Sequence, residues 1–369
     1  MTLGGVAASG APSNITQLPH RQNNFDAIRL VGALLVLVGH AFPLHGRPSA
    51  WVFGQPVQAL GVILFFSVSG YLISQSWAAD RNLARYLTKR FLRIFPALIV
   101  VTLLCAFVLG PAISTLSVGN YLGNPGTWQF LRNALLFPVY ALPGVFDTNI
   151  YPAAVNGSVW SLPAEFVCYL IVPIVGLLPR RAHFAIYLAL GMASGFWGHF
   201  WSLDGTRVVV YGTDLSQAAT VWAFFLVGAA LSSARWIPIR TGFALVGFLV
   251  TAVANALSPE YMYPVWWLIF PYVVLSFGLS STKGVHQAGR WGDFSYGLYL
   301  YAFPVQQTFI RLWPSMPWVL SALGTLVVSL LAAFVSWHVI EKQALRLKPG
   351  RRSKMATSEE RAERADAIP

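Results

Sequence analysis

The sequence predicts an all-α, polytopic bundle of about ten transmembrane helices with both termini in the cytoplasm, and three observations predict it. Of 369 residues, 56% are hydrophobic and only 10% charged, with 14 Trp and 25 Phe, far from the balance of a soluble domain. Apolar runs of roughly 20 residues, the length that crosses a hydrocarbon core, recur along the chain with short polar gaps. The basic residues behind the net charge of +12 sit in those gaps, not in a surface stripe with interleaved aromatics, which argues against a nucleic-acid partner.

The runs give spans at Ala27 to Leu44, Gln55 to Trp77, Ile94 to Ile113, Gly157 to Leu178 and Ala182 to Trp201. Five more follow at Leu215 to Ala234, Thr241 to Leu257, Tyr263 to Ser280, Phe294 to Leu312 and Trp318 to Val339. An even number puts both termini on one side. Twenty of the 25 Lys and Arg fall on that side, four (Arg47, Arg132, Arg207 and Arg311) fall opposite, and Arg29 lies inside the first span. The richer side is cytoplasmic by the positive-inside rule, and the membrane expected is the bacterial inner membrane.

Residues 1–23 have no apolar core followed by a small-residue cleavage site, so they read as a cytoplasmic leader to a retained first helix. Residues 24–348 form the membrane domain. Residues 349–369 mix both charge signs without an apolar face and read as a disordered cytoplasmic tail. The one long outer loop, Ser114 to Asn156, is either a substrate-shaping lid or plain connection. Cys105 and Cys168 fall inside apolar runs and behave as small hydrophobes, giving neither a disulfide framework nor a metal set.

Ionisable groups in hydrocarbon are costly and usually face a bundle interior or wet cavity. Arg29 and His40 are eleven positions apart on one helix, about three turns plus 20° and a rise of roughly 16 Å, so they face the same way. Arg29 is either a donor-binding group or an interfacial anchor, and His40 either a general base or a hydrogen-bonded core histidine. Glu165, two turns into the fourth span, is expected at a depth comparable with His40. Beside an imidazole it would fix the tautomer; otherwise it is a structural carboxylate. Arg81, Arg85, Lys89 and Arg93 recur every four residues, with Arg90 three before Arg93, and a helix gathers them on one face. That cluster suits either several phosphates or anionic lipid.

These residues resemble the acyltransferase-3 family of integral membrane O-acyltransferases. The resemblance rests on NFDAIRLVGALLVLVGH (24–40), GVILFFSVSGYLI (61–73), RYLTKRFLRIFPAL (85–98), NGSVWSLPAEFVCYL (156–170), FSYGLYLYAFPV (294–305) and VIEKQALRLK (339–348), in that order. It implies that His40 is the catalytic base, that Glu165 supports the site, and that Arg29, Arg90 and Arg93 hold acyl-CoA. Asp26 and Ser69 match recurring positions without an assigned role. Many relatives have a histidine in the stretch matching 299–304, where this chain has Ala302, so the chemistry expected here rests more heavily on His40. A soluble esterase-like domain, frequent in the family, is not expected in this chain.

The co-substrate implied is acyl-CoA, acetyl-CoA by family frequency. The acceptor is a hydroxyl of a cell-envelope or secreted glycan or glycolipid, such as lipopolysaccharide or exopolysaccharide, with polysaccharide-synthesis proteins as possible partners. No metal is expected, because ligand-type residues lack a closed spacing such as His-Glu-x-x-His. No Gly-x-Ser-x-Gly elbow occurs. Two rivals stay open on the residues alone: a proton-coupled transporter or flippase with Arg29, His40 and Glu165 as its relay, and a scaffold for a polysaccharide-synthesis complex.

Overall fold

A computed structural model describes residues 23–349 apart from 204, 206, 235 and 258–261. The expected leader and tail therefore lie, but for one residue each, outside the described residues. The long helices are α1 (Phe25–Leu44), α2 (Val57–Ala79), α3 (Leu83–Leu104), α4 (Ser161–Gly176) and α5 (His183–Leu203). They continue with α6 (Leu215–Ser233), α7 (Thr241–Leu257), α8 (Tyr263–Leu279), α9 (Ser295–Leu312) and α10 (Trp318–Ser336). Two run on through a wide π turn. Cys105–Leu109 extends α3 to Ile113, and Trp337–Glu341 extends α10 to Arg346.

Among the described residues, five helices are each long and apolar enough to cross a membrane: α1, α2, the extended α3, α6 and the extended α10. Extended α3 has 31 residues, roughly 46 Å at 1.5 Å per residue, against a hydrocarbon core of roughly 30 Å. Its surplus is the basic first turns, which begin at Leu83 and not at Ile94 as hydropathy suggested. The Asn82 side chain caps them by accepting from Arg85 N. Pro43, Pro96, Pro173, Pro271 and Pro304 all sit inside helices, as membrane helices tolerate where neighbours satisfy the freed backbone groups.

Within a membrane, helices associate through close packing of small residues more than through burial of apolar surface. Here α2 is the central element, packed on α1, α4, α6 and α8. Gly61 lies against Gly32 and Val36 of α1, and Gly39 against Gln58 of α2. At the α2–α6 crossing a Cβ on Gly70 would run into the Phe225 carbonyl, and one on Gly228 into that of Ser67. Gly70→Ala is accordingly expected to cost about 1–3 kcal/mol, read as a lower thermal midpoint in detergent. Gly119→Ala, where the added carbon meets open space, should leave the midpoint unchanged.

The loop from Ser114 to Asn156 is ordered around short helical turns at Val118–Gly123, Pro125–Gln129 and Phe130–Leu135. It buries Tyr121, Phe130, Val145 and Phe146. Gln307 of α9 pins it by donating to the carbonyls of Tyr151 and Ala154, while Asn149 donates back to Gln307. Two short hairpins, Trp51–Val52 with Gln55–Pro56 and Val209–Val210 with Thr213–Asp214, finish the neighbouring loops.

Candidate active site

Arg29 stands one turn into α1, where its guanidinium contacts Asp26 Oδ1 at 2.9 Å and Asp293 Oδ2 at 3.7 Å. Asp293 precedes α9 and caps it, accepting from Ser295 N. Its other oxygen takes Arg93 Nη2 at 2.6 Å, and Arg93 Nη1 approaches Glu341 Oε2 at 3.6 Å. A chain of alternating charge thus ties the ends of α1, α3, α9 and α10. Burial works to raise the Asp293 carboxyl, but Arg93, Arg29 and the hydrogen bonds from Ser295 outweigh it and hold it at about 2. Further along α3, Arg85 grips Asp80 with two hydrogen bonds and Lys89 approaches it at 3.6 Å. The Arg85 bonds keep that carboxyl below the usual range.

These groups surround a cavity of about 270 Å³ lined by Arg29, Lys89, Arg90, Arg93 and Lys348, with the carboxylates of Glu165 and Asp293 in its wall. Ser69 and Tyr169 hydroxyls donate to Glu165 Oε1 at 2.8 and 2.6 Å. At the inner end Tyr299 hydrogen-bonds Ser161 and the Ser158 carbonyl, and Phe65 meets the Tyr299 ring edge-on.

His40 lies beyond that aromatic wall. Its Nδ1 is 2.9 Å from Val36 O and its ring meets Phe303 edge-on. A carbonyl only accepts, so Nδ1 carries the proton and, in the neutral ring, Nε2 keeps its lone pair. Nε2 has no hydrogen-bond partner among the described residues. The cavity reaches Val62, one turn along α2 from Gln58, which packs on Gly39. It therefore stops roughly 6 Å short of His40 along the helix axis.

The expected depth of Glu165 is corrected here. Its partner Ser69 lies eight residues past Gly61, toward the N-terminal end of α1, which puts Glu165 near the level of Arg29 and roughly 20 Å along the axis from His40. No hydrogen bond or ion pair joins Glu165 to His40; the Val36 carbonyl sets the imidazole tautomer instead. The cause is the start of α4. Residues 157–160 form turns tied to α9 by Asn156, which donates to Leu300 O, so Glu165 is only about one turn from the helix start.

Of the five site residues predicted, Arg29, Arg90, Arg93 and Glu165 share the cavity and His40 does not line it. Asp26 takes a definite place as the Arg29 partner, and Ser69 as a donor to Glu165. Asp293, Glu341, Lys348, Tyr169 and Tyr299 were not anticipated. Asp293 left a signal, an Asp two residues ahead of Ser295 at the start of an apolar run, as in a helix cap.

A helical membrane bundle with a cationic cavity at one end of α1 and an uncommitted imidazole nitrogen toward the other defines an integral membrane protein with a buried polar site. The profile of an acyltransferase domain matches residues 22–338, and the chain belongs to the acyltransferase-3 family. It is 31% identical over 341 residues to an O-acetyl transferase of Shigella phage Sf6, covering 88% of this chain and 97% of that protein. It is 29% identical over 379 residues to nodulation protein 10 of Rhizobium leguminosarum bv. viciae, covering 91% and 96%. No solved structure matches the chain. The protein is an acyltransferase that carries out O-acyl transfer, and the transporter and scaffold readings give way to that assignment.

Proposed function

We propose that the protein transfers an acetyl group from acetyl-CoA to a hydroxyl of a cell-envelope or secreted glycan or glycolipid. On this reading it spans the bacterial inner membrane ten times with both termini cytoplasmic, and works beside polysaccharide-synthesis proteins. The observation that carries the reading is the arrangement of α1, with a cationic cavity at Arg29 and an imidazole with a free Nε2 at His40. The phosphates of the donor enter the cavity from the cytoplasm and its pantetheine arm passes Phe65 and Tyr299, so that the thioester approaches His40. The acetyl group is supported by the name of the phage relative.

His40 Nε2 takes the proton of the acceptor hydroxyl as its oxygen attacks the thioester carbonyl. The C–S bond then breaks, and the imidazolium returns the proton to the departing thiolate, giving ester and free CoA. The variant route has Nε2 attack first, forming an acyl-imidazole that the acceptor resolves. Glu165, held by Ser69 and Tyr169, acts at the donor end of the path.

The test is transfer of labelled acetyl from acetyl-CoA to envelope glycan in membranes with and without the protein, scored as an alkali-labile ester. Label that depends on the protein supports the reading. Label that arises from acetyl phosphate but not from acetyl-CoA overturns the donor, and label recovered in protein or lipid without glycan overturns the acceptor.

A further inference from the structure

The cations around the cavity are not equivalent. Arg29 and Arg93 converge on Asp293, Arg93 also meets Glu341, and Arg85 and Lys89 share Asp80. Two cavity cations have no carboxylate partner among the described residues, Arg90 and Lys348. The Arg90 Nε is buried without a hydrogen-bond acceptor, and its only polar contact is Nη2 to Ser76 Oγ at a long 3.4 Å. Its guanidinium is held between the Tyr86 and Tyr169 rings at 5.7 and 5.9 Å, which fixes its plane without neutralising its charge. Lys348 stands exposed at the cavity mouth just past the last turn of the extended α10.

We infer that Arg90 and Lys348 form a phosphate subsite, separate from the Arg29–Asp293–Arg93 chain, that reads the phosphate groups of the acyl donor. The inference rests on the donor reading given above. Arg29 and Arg93 act as structural ties between helix ends; a phosphate taking them would have to displace Asp293. Arg90 offers Nε and Nη donors in the planar fork that suits phosphate oxygens, and Lys348 supplies a mobile point charge at the rim.

A secondary observation agrees. Partial burial, together with Arg93, Arg90, Lys89 and Arg29, pushes the Lys348 ammonium down to about 8. The groups facing it are Arg29 of α1, Lys89, Arg90 and Arg93 of α3, and the carboxylates of Asp293 and Glu341, which already have cation partners. Its charge is present below about pH 8 and lost above, whereas a bound phosphate requires it. Donor affinity should therefore fall between pH 7 and pH 9.

The experiment uses the full chain in phosphatidylcholine nanodiscs, with and without phosphatidylglycerol, and calorimetric binding of CoA, 3′-dephospho-CoA and pantetheine. Lys348→Ala and Arg90→Ala are each expected to weaken CoA by about tenfold or more, to leave the pantetheine affinity alone, and, for Lys348→Ala, to flatten the pH profile. Lys348→Arg restores binding, and Arg346→Ala, which removes an exposed cation bonded to Gln343, serves as the charge control. Wild type that binds CoA with an affinity untouched by either alanine overturns the subsite alone. Wild type that binds no CoA overturns the donor reading as well. An effect of the variants seen only with phosphatidylglycerol present assigns the cations to a lipid headgroup and overturns the inference.

Discussion

His40→Ala is expected to lower acetyl transfer by about 10²–10⁴-fold, the range a positioned general base contributes, while the protein inserts and unfolds as wild type. The expectation rests on the bond from Nδ1 to Val36 O, which leaves Nε2 free and ties the ring only to its own helix. Loss of the ring breaks no contact between helices except the edge-on packing against Phe303. CoA affinity should be retained, because the cavity ends about a turn before His40. Added imidazole restoring part of the transfer would favour the base, and trapping of label on His40 would favour the acyl-imidazole. Transfer unchanged in the variant would remove His40 from the chemistry.

Asp293→Ala is the largest stability change expected. Asp293 accepts from Arg93, approaches Arg29 and caps α9, with a side chain only 16% exposed. Removing one partner of a buried ionic group leaves the others uncompensated and costs about 3–5 kcal/mol. The readout is a thermal midpoint in detergent well below wild type. The acid dependence has a definite sign. Because the folded carboxyl is held at about 2, its contribution is complete above the ordinary carboxylate value and disappears as pH falls toward 2. In Asp293→Ala that part of the acid sensitivity should vanish. An unchanged midpoint would mean that the charge chain does not hold the helix ends together.

Hydropathy located the helices well because each apolar run is long and its neighbours polar, and the three-turn spacing from Arg29 to His40 survives as a shared axis. It misjudged where helices begin. Val159, Trp160 and Leu162 extend the apolar run of α4 outward past its first hydrogen-bonded turn, so counting from Gly157 placed Glu165 too deep. In the opposite sense, Arg85 to Arg93 lie outside the apolar run yet inside α3. The four-residue spacing of those cations was legible, but their partners were not. Asp80 is local to Arg85, whereas Asp293 reaches Arg93 across 200 residues of chain. Glu341 was hidden for another reason: it follows the last apolar residues of α10 and so reads as aqueous, while the structure leaves it only 2% exposed.

The π turn at Trp337–Glu341 bears on how this architecture tolerates change in length. Such a turn takes up one extra residue without breaking the helix, and each residue advances the helical phase by about 100°. Deleting a single residue there would swing everything downstream by that angle: Glu341 would leave Arg93, and Leu345 and Lys348 would leave the cavity for the lipid side. Substitutions on the outer face of α10 would be neutral by comparison, so along this stretch the spacing of residues carries more information than most of their identities.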